Sequence, residues 1–339
     1  MSFQSNIQII KKITLKKITN VFKVWISYHI SKYRKKPWVI GLPISIAIEP
    51  TTSCNLRCPE CPSGLRQFTR PIGMLEPSFF KQTIDEIYNH INYLTFYFQG
   101  EPYLNPNFLE MVQYASEKGI YTSTSTNAHY LNTEMAEKTV KSKLDRIIIS
   151  IDGTTQETYQ QYRVGGQLKK VIEGTKNIIQ AKKQLKSKTP HVVFQFLVVK
   201  PNEHQIDDIK QLANELGVDE LVFKSAQVYQ FENGNPLIPE NIKYSRYHKN
   251  ADGTYSIKNK LLNQCWRMWS SCVITWDGLV VPCCFDKDAK HQLGDLKHQN
   301  FFELWFSNKY QTFRATLLKS RKDIDICRNC TEGLKAFDI

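Results

Sequence analysis

From position 44 to about 226 the chain alternates short apolar runs, rich in β-branched and aromatic residues, with longer stretches of helical periodicity. "ISIAIE" (44–49), "YLTFYFQ" (93–99), "IYTSTST" (120–126), "RIIISID" (146–152), "VVFQFLVV" (192–199) and "ELVFKSA" (220–226) predict strands. Between them, segments such as "EPSFFKQTIDEIYNHI" and "EHQIDDIKQLANELG" repeat apolar positions at three- and four-residue steps and predict helices. Six β/α units in order imply parallel strands with right-handed crossovers, hence an α/β fold built as a barrel or an open doubly wound sheet. Sites on such folds gather at the C-terminal ends of the strands. Polar signals stand there: a cysteine loop after the first strand, "QGEP" after the second, "STNA" after the third and "SIDG" after the fourth.

The flanks read differently. In a leader, 1–43, Ile10, Ile13, Ile18, Val21, Phe22 and Trp25 form one apolar helical stripe with lysines on the other faces. Two readings stand: a helix packed on the outside of the main domain, which is the commoner fate of such helices, or an interfacial helix on an anionic membrane or a protein partner. The leader has neither the apolar length of a membrane span nor a signal-peptide cleavage site. Positions 227–262, rich in Asn, Gly, Pro and charge, predict a linker with one hairpin near "ADGTYS". The rest, 263–339, carries six cysteines and predicts a small second unit.

Composition narrows the function classes. The 339 residues are 41% hydrophobic and 23% charged, enough for a substantial core. Nine cysteines in clusters point to metal ligation in a reducing compartment rather than disulfides, and so to a cytoplasmic protein, peripheral at the inner membrane surface if the leader is interfacial. No acidic residue precedes Glu49, whereas nine basic ones do; setting those nine aside from the net +13 leaves about +4, which argues against a nucleic-acid surface on the body. No Walker-type loop or nucleophile triad is present; "VGGQLKK" (164–170) reads as a loop before a helix.

In "EPTTSCNLRCPECPSG", Cys54, Cys58 and Cys61 stand at C-x3-C-x2-C spacing. Structural zinc normally takes four ligands, whereas three thiolates leave a metal position open. With the "GEP" after the second strand, this loop resembles that of the radical S-adenosylmethionine enzymes. The resemblance spans 44–226 and implies a partial (β/α)6 TIM-like barrel, a 4Fe-4S cluster on the three cysteines, and S-adenosylmethionine chelated to its open iron. It implies cofactor contacts from Gln99, Gly100, Glu101 and Pro102, with Glu101 as an acceptor for the methionine ammonium, and from Ser125, Asn127, Ser150 and Asp152 at the next strand ends. Those last four also fit simple caps and turns. Gln99 replaces the family's first glycine, and Glu60 stands where the family often has an aromatic residue.

The C-terminal "NQCWRMWSSCVITWDGLVVPCCFD" and "DICRNCTEG" resemble auxiliary-cluster extensions of the SPASM or twitch type. That implies a second 4Fe-4S cluster on Cys265, Cys283, Cys327 and Cys330, with Cys272 and Cys284 left over or replacing one of them; the full seven-cysteine SPASM set is absent. A closed auxiliary cluster favours electron relay and hence net oxidation of a small-molecule, sugar or peptide substrate, with an electron donor such as flavodoxin or ferredoxin. The catalytic residue beyond the cofactors is left unassigned. The alternative is a non-catalytic four-cysteine zinc module recruited by the basic leader to a membrane or partner. Trp266, Trp269, Trp276 and Trp305 are expected in the core.

Overall fold

The computed structural model describes residues 8–337. Six strands lie at the predicted places: β1 (Ser45–Ile48), β2 (Tyr93–Thr95), β3 (Tyr121–Thr126), β4 (Arg146–Ser150), β5 (His191–Val198) and β6 (Glu220–Ser225). Each pairs in parallel with the next, with Ser45 opposite Tyr93, Tyr93 opposite Tyr121 and Arg146 opposite His191. The helices between them pack an apolar face on the sheet. In α2 (Pro77–Ile87), Phe80, Thr83, Ile84 and Ile87 are buried, the three- and four-residue steps read from the sequence. Proline at its first turn and Gly217 in left-handed geometry after Leu216 mark helix ends as the local chemistry requires.

Strand β2 is shorter than predicted. Phe96 still donates to the Ser123 carbonyl at 2.7 Å, but the chain then leaves the ladder to carry Gly100 beneath the cysteine loop.

The row of strands does not end at β1. Residues 271–274 form β9 (Ser271–Ile274), which pairs in parallel with all four residues of β1; β10 (Leu279–Val281) and β11 (Gly294–Asp295) extend it antiparallel. The C-terminal unit thus covers an edge that would otherwise present unpaired backbone groups. It also shares the barrel's core, into which Trp266, Trp269 and Trp305 are buried.

Segment 227–262 contains the expected hairpin, β7 (Tyr247–Lys249) with β8 (Tyr255–Ile257). It is more than a tether, because Val228, Leu237, Ile238 and Tyr247 bury against Leu56, Cys58 and Tyr162.

The leader forms α1 (Leu15–Arg34), and here the structure inverts the expectation of an apolar stripe packed inward. The buried face is Lys17, Asn20, Val24, Ser27, Tyr28 and Ser31, while Ile10, Ile18, Phe22 and Trp25 are exposed. The reason lies in what α1 covers, the N-terminal ends of the strands, where loop backbone groups need partners. Lys17 Nζ donates to the Gly119 carbonyl at 2.6 Å, and Lys12 Nζ to the Ile120 carbonyl at 3.0 Å and to Asp145 at 2.5 Å. Asn20 bonds Leu42 in both directions, and Ser31 does the same with Trp38. A polar face is the one that fits.

Candidate functional site

The cysteine loop leaves the C-terminal end of β1, is held from two sides, and closes into a short helical turn. Thr52 N donates to the Gly73 carbonyl at 3.1 Å, Arg57 N to the Val164 carbonyl at 2.9 Å, and Leu65 N to the Cys61 carbonyl at 2.8 Å. Glu60 Oε2 accepts from Tyr229 N, tying the loop to the segment after β6. At the root, Glu49 and Arg70 form a buried bidentate pair at 2.6 and 2.7 Å. Burial pushes the Cys54 thiol up to about 12 and raises Cys58 as well, with the neighbouring thiols adding to both. Such thiols ionise only beside compensating positive charge, which a metal cluster supplies.

Gly100 (φ +74°) is the glycine that the turn after β2 cannot replace, since a Cβ there would lie 2.2 Å from the Thr51 carbonyl. Its N–H donates to Ser63 Oγ, and Glu101 N to the Ser53 carbonyl, so the turn is stitched to the cysteine loop. Glu101 is buried, with its carboxylate turned to protein donors: Thr126 Oγ1 at 2.7 Å, Asn127 N at 2.8 Å and Tyr103 N at 3.4 Å. Desolvation outweighs those donors and lifts its pKa to about 7. Pro102 opens the short helical turn that follows, and Gln99 Oε1 lies 3.8 Å from Cys61 Sγ.

Of the strand-end residues, Ser125 and Ser150 sit side by side, their hydroxyls 3.5 Å apart. Asn127 donates to Asn55 Oδ1 in the cysteine loop. Asp152 is fully buried and engaged: Arg163 Nε lies 2.5 Å from Oδ2, and Leu197 N donates to Oδ1 at 2.7 Å. Arg163 in turn holds Nη1 3.8 Å from Cys58 Sγ. This arginine is the functional neighbour that sequence reasoning missed. Its only signal is its place just before the "VGG" of a loop whose carbonyl at Val164 accepts from Arg57.

The second set assembles elsewhere on the molecule. Cys265, Cys283, Cys327 and Cys330 surround one small cavity with Phe313, Leu317, Ile326 and Arg321. A Cβ on Gly333 would stand 2.5 Å from Cys265 Sγ, so the chain is pared back at the cage wall. Arg321 is buried beside the thiols, with Nη1 donating to the Gln264 carbonyl and Nη2 to the Glu332 carbonyl, both at 3.0 Å. Cys272 lies apart, on β9 opposite Ile46, and Cys284 points toward Arg267. The four thiols share the wall of one small cavity, and the donor set is of the all-thiolate kind that iron-sulfur clusters take.

A cavity of about 840 Å³ fills the barrel interior. It is lined from β2, β4, β5 and β6 by Thr95, Arg146, Gln195 and Lys224, and it reaches Cys283 and Cys284. Cys283, Arg267, Phe285 and Glu332 line both this cavity and the four-thiol cage.

Comparison with known proteins agrees with this geometry. A profile of the radical SAM superfamily matches residues 48–216, and one of an iron-sulfur cluster-binding domain, SPASM, matches 265–331. The chain is 23% identical over 308 residues to the tungsten-containing aldehyde ferredoxin oxidoreductase cofactor-modifying protein of Pyrococcus furiosus, covering 79% of this chain and 82% of that one. It is 29% identical over 178 residues to the mycofactocin maturase MftC of Mycobacterium ulcerans, covering 52% of this chain and 46% of the maturase, so the match spans under half of that relative. Among solved structures, Streptococcus suis SuiB bound to S-adenosylmethionine superposes with a TM-score of 0.64 at 14% identity, over 90% of this chain and 75% of SuiB. BtrN in complex with AdoMet and 2-DOIA gives 0.52 at 19% identity, over 86% and 94%.

Proposed function

Because the chain belongs to the radical SAM superfamily and carries a SPASM-type iron-sulfur domain, we propose that this enzyme carries out a net oxidation of a substrate held in its barrel cavity. A 4Fe-4S cluster and S-adenosylmethionine supply, when bound, reductive cleavage to methionine and a 5′-deoxyadenosyl radical that abstracts hydrogen; the auxiliary cluster supplies electron transfer. Cys54, Cys58 and Cys61 hold the first cluster in this reading, and Cys265, Cys283, Cys327 and Cys330 the second. The observation that carries it is the shared wall: Cys283 belongs both to the closed cage and to the cavity, so an electron leaving the substrate region has a short path to four thiolates.

The chain's own residues prepare the site. Gly100 lets the turn after β2 pass close against the backbone of the cysteine loop. Glu101 fixes that turn to the end of β3 through Thr126 and Asn127. Asp152 orients Arg163 toward Cys58, where its positive charge favours the thiolate. Ser125, Ser150 and Asn127 remain the hydroxyl and amide groups at the strand ends nearest the loop.

Relatives named as maturases and peptide cyclases support a peptide substrate, with a sugar as the second choice. Lys224, Arg246 and Lys258 line the cavity without a carboxylate partner among the described residues, which favours a substrate bearing an anionic group. Flavodoxin or ferredoxin suits the role of reductant, and nine free cysteines suit the cytoplasm. The test is anaerobic reconstitution with dithionite and S-adenosylmethionine, assayed for 5′-deoxyadenosine. The parent forms it; the Cys54→Ala/Cys58→Ala/Cys61→Ala variant does not. Equal amounts from both would overturn the assignment.

A further inference from the structure

We propose that α1 seats the enzyme on the surface of an anionic lipid bilayer, lying in the interface with its outer face in the lipid. The helix is mainly apolar on the side that faces solvent, with the exposed polar ring of His29, packed against Trp25, at its centre. Leu15, Ile18, Phe22, Trp25 and Tyr33 are 79, 55, 59, 40 and 89% exposed. At about 100° per residue these five fall on one face, opposite the buried face of Lys17, Asn20, Val24, Ser27, Tyr28 and Ser31. Nothing in the fold requires the outer residues to be large and apolar. Contiguous exposed apolar surface of this kind marks an interaction site, and Trp and Tyr are favoured where water meets lipid.

Charge chooses the occupant. Of the nine basic residues before Glu49, Lys12 and Lys17 are used in docking α1 to the body. The other seven, Lys11, Lys16, Lys23, Lys32, Arg34, Lys35 and Lys36, are all exposed. On the helix itself Lys16, Lys23 and Arg34 flank the apolar face on one side and Lys32 on the other, where long basic side chains reach headgroups while their stems lie on apolar surface. A second copy docked through the same face would set these cations against each other, since no acidic residue in this stretch could answer them. Anionic headgroups do answer them. No helix among the described residues is long and apolar enough to cross a membrane, so the contact is with the surface.

The orientation suits the chemistry. Because α1 covers the N-terminal ends of the strands, a bilayer against its outer face lies at the opposite end of the barrel from the cysteine loop. The inference is independent of the reaction assigned above.

Flotation of the full chain with lipid vesicles tests it. The parent should float with phosphatidylglycerol-containing vesicles and stay behind with pure phosphatidylcholine, and it should come off at about 0.5 M salt, where screening shortens to roughly 4 Å. Phe22→Glu/Trp25→Glu and, separately, Lys16→Glu/Lys23→Glu should each lower the bound fraction about tenfold or more. Circular dichroism and melting temperature should not change, because these side chains are outside the packed face. No flotation of the parent would overturn the proposal, as would equal flotation of parent and variants. A parent dimer in size-exclusion chromatography that Phe22→Glu/Trp25→Glu splits, without vesicle binding, would assign the face to self-association instead.

Discussion

Replacing Arg163 by leucine isolates what the buried pair beside Cys58 does. Asp152 has no exposed surface, and the loss of Arg163 Nε at 2.5 Å leaves its carboxylate with only Leu197 N at 2.7 Å. In the parent, desolvation already raises the Asp152 pKa and the guanidinium opposes it. Without the guanidinium the pKa climbs further. A carboxyl whose folded pKa is raised contributes stability that is full below its unfolded value near 3.8 and is lost as pH rises through the folded value. The cost of Arg163→Leu should therefore be smallest in acid, about 1–2 kcal/mol for the lost hydrogen bonds, and grow toward about 3–5 kcal/mol at alkaline pH, the usual cost of orphaning a buried charge. Anaerobic urea titrations of the cluster-loaded protein between pH 5 and pH 8 read this directly, since a shift of midpoint at constant slope is a change in stability. Asp152→Asn/Arg163→Leu should recover much of the loss, with a coupling of about 2 kcal/mol. Single-variant costs that simply add, or a cost that does not change with pH, would refute the reasoning.

Other consequences are equally direct. Gly100→Ala forces a Cβ to 2.2 Å from the Thr51 carbonyl and should cost about four irons per chain by opening the first thiolate loop, whereas Gly119→Ala, with nothing within 4 Å, should keep its iron on chemical analysis. Cys327→Ala should remove about four irons per chain, and Cys272→Ala none, because the sulfur of Cys272 lies in β9 away from the cage. Arg70→Met strands the fully buried Glu49 at the root of the cysteine loop and should destabilise by about 3–5 kcal/mol in urea, while Glu49→Leu/Arg70→Met should recover most of it.

Local spacing made much of the site legible. The C-x3-C-x2-C loop, the "GEP" turn and the six strands are each written within a few consecutive residues, and the structure brings loop and turn together through Gly100 and Ser63. The auxiliary quartet is different in kind, because Cys265 and Cys327 are 62 positions apart and only the family resemblance linked them. Arg163 was hidden because a lone arginine before two glycines carries no pattern; its meaning comes from Asp152 and Cys58, which approach from separate strand ends. Glu101 and Asp152 were readable as strand-end carboxylates, but not as carboxylates already engaged by protein donors.

Local periodicity and spacing determined that this chain has β/α units, an early C-x3-C-x2-C loop and a leader helix with one apolar face, since each is a short-range property of backbone geometry and residue type. Which face of that helix turns inward and which edge of the barrel the C-terminal strands extend were decided only by the tertiary structure. The physical reason is that hydrogen-bond demand and enclosure depend on groups far apart in the chain. The open backbone groups at the strand ends chose Lys17, Asn20 and Ser31 over Ile18, Phe22 and Trp25.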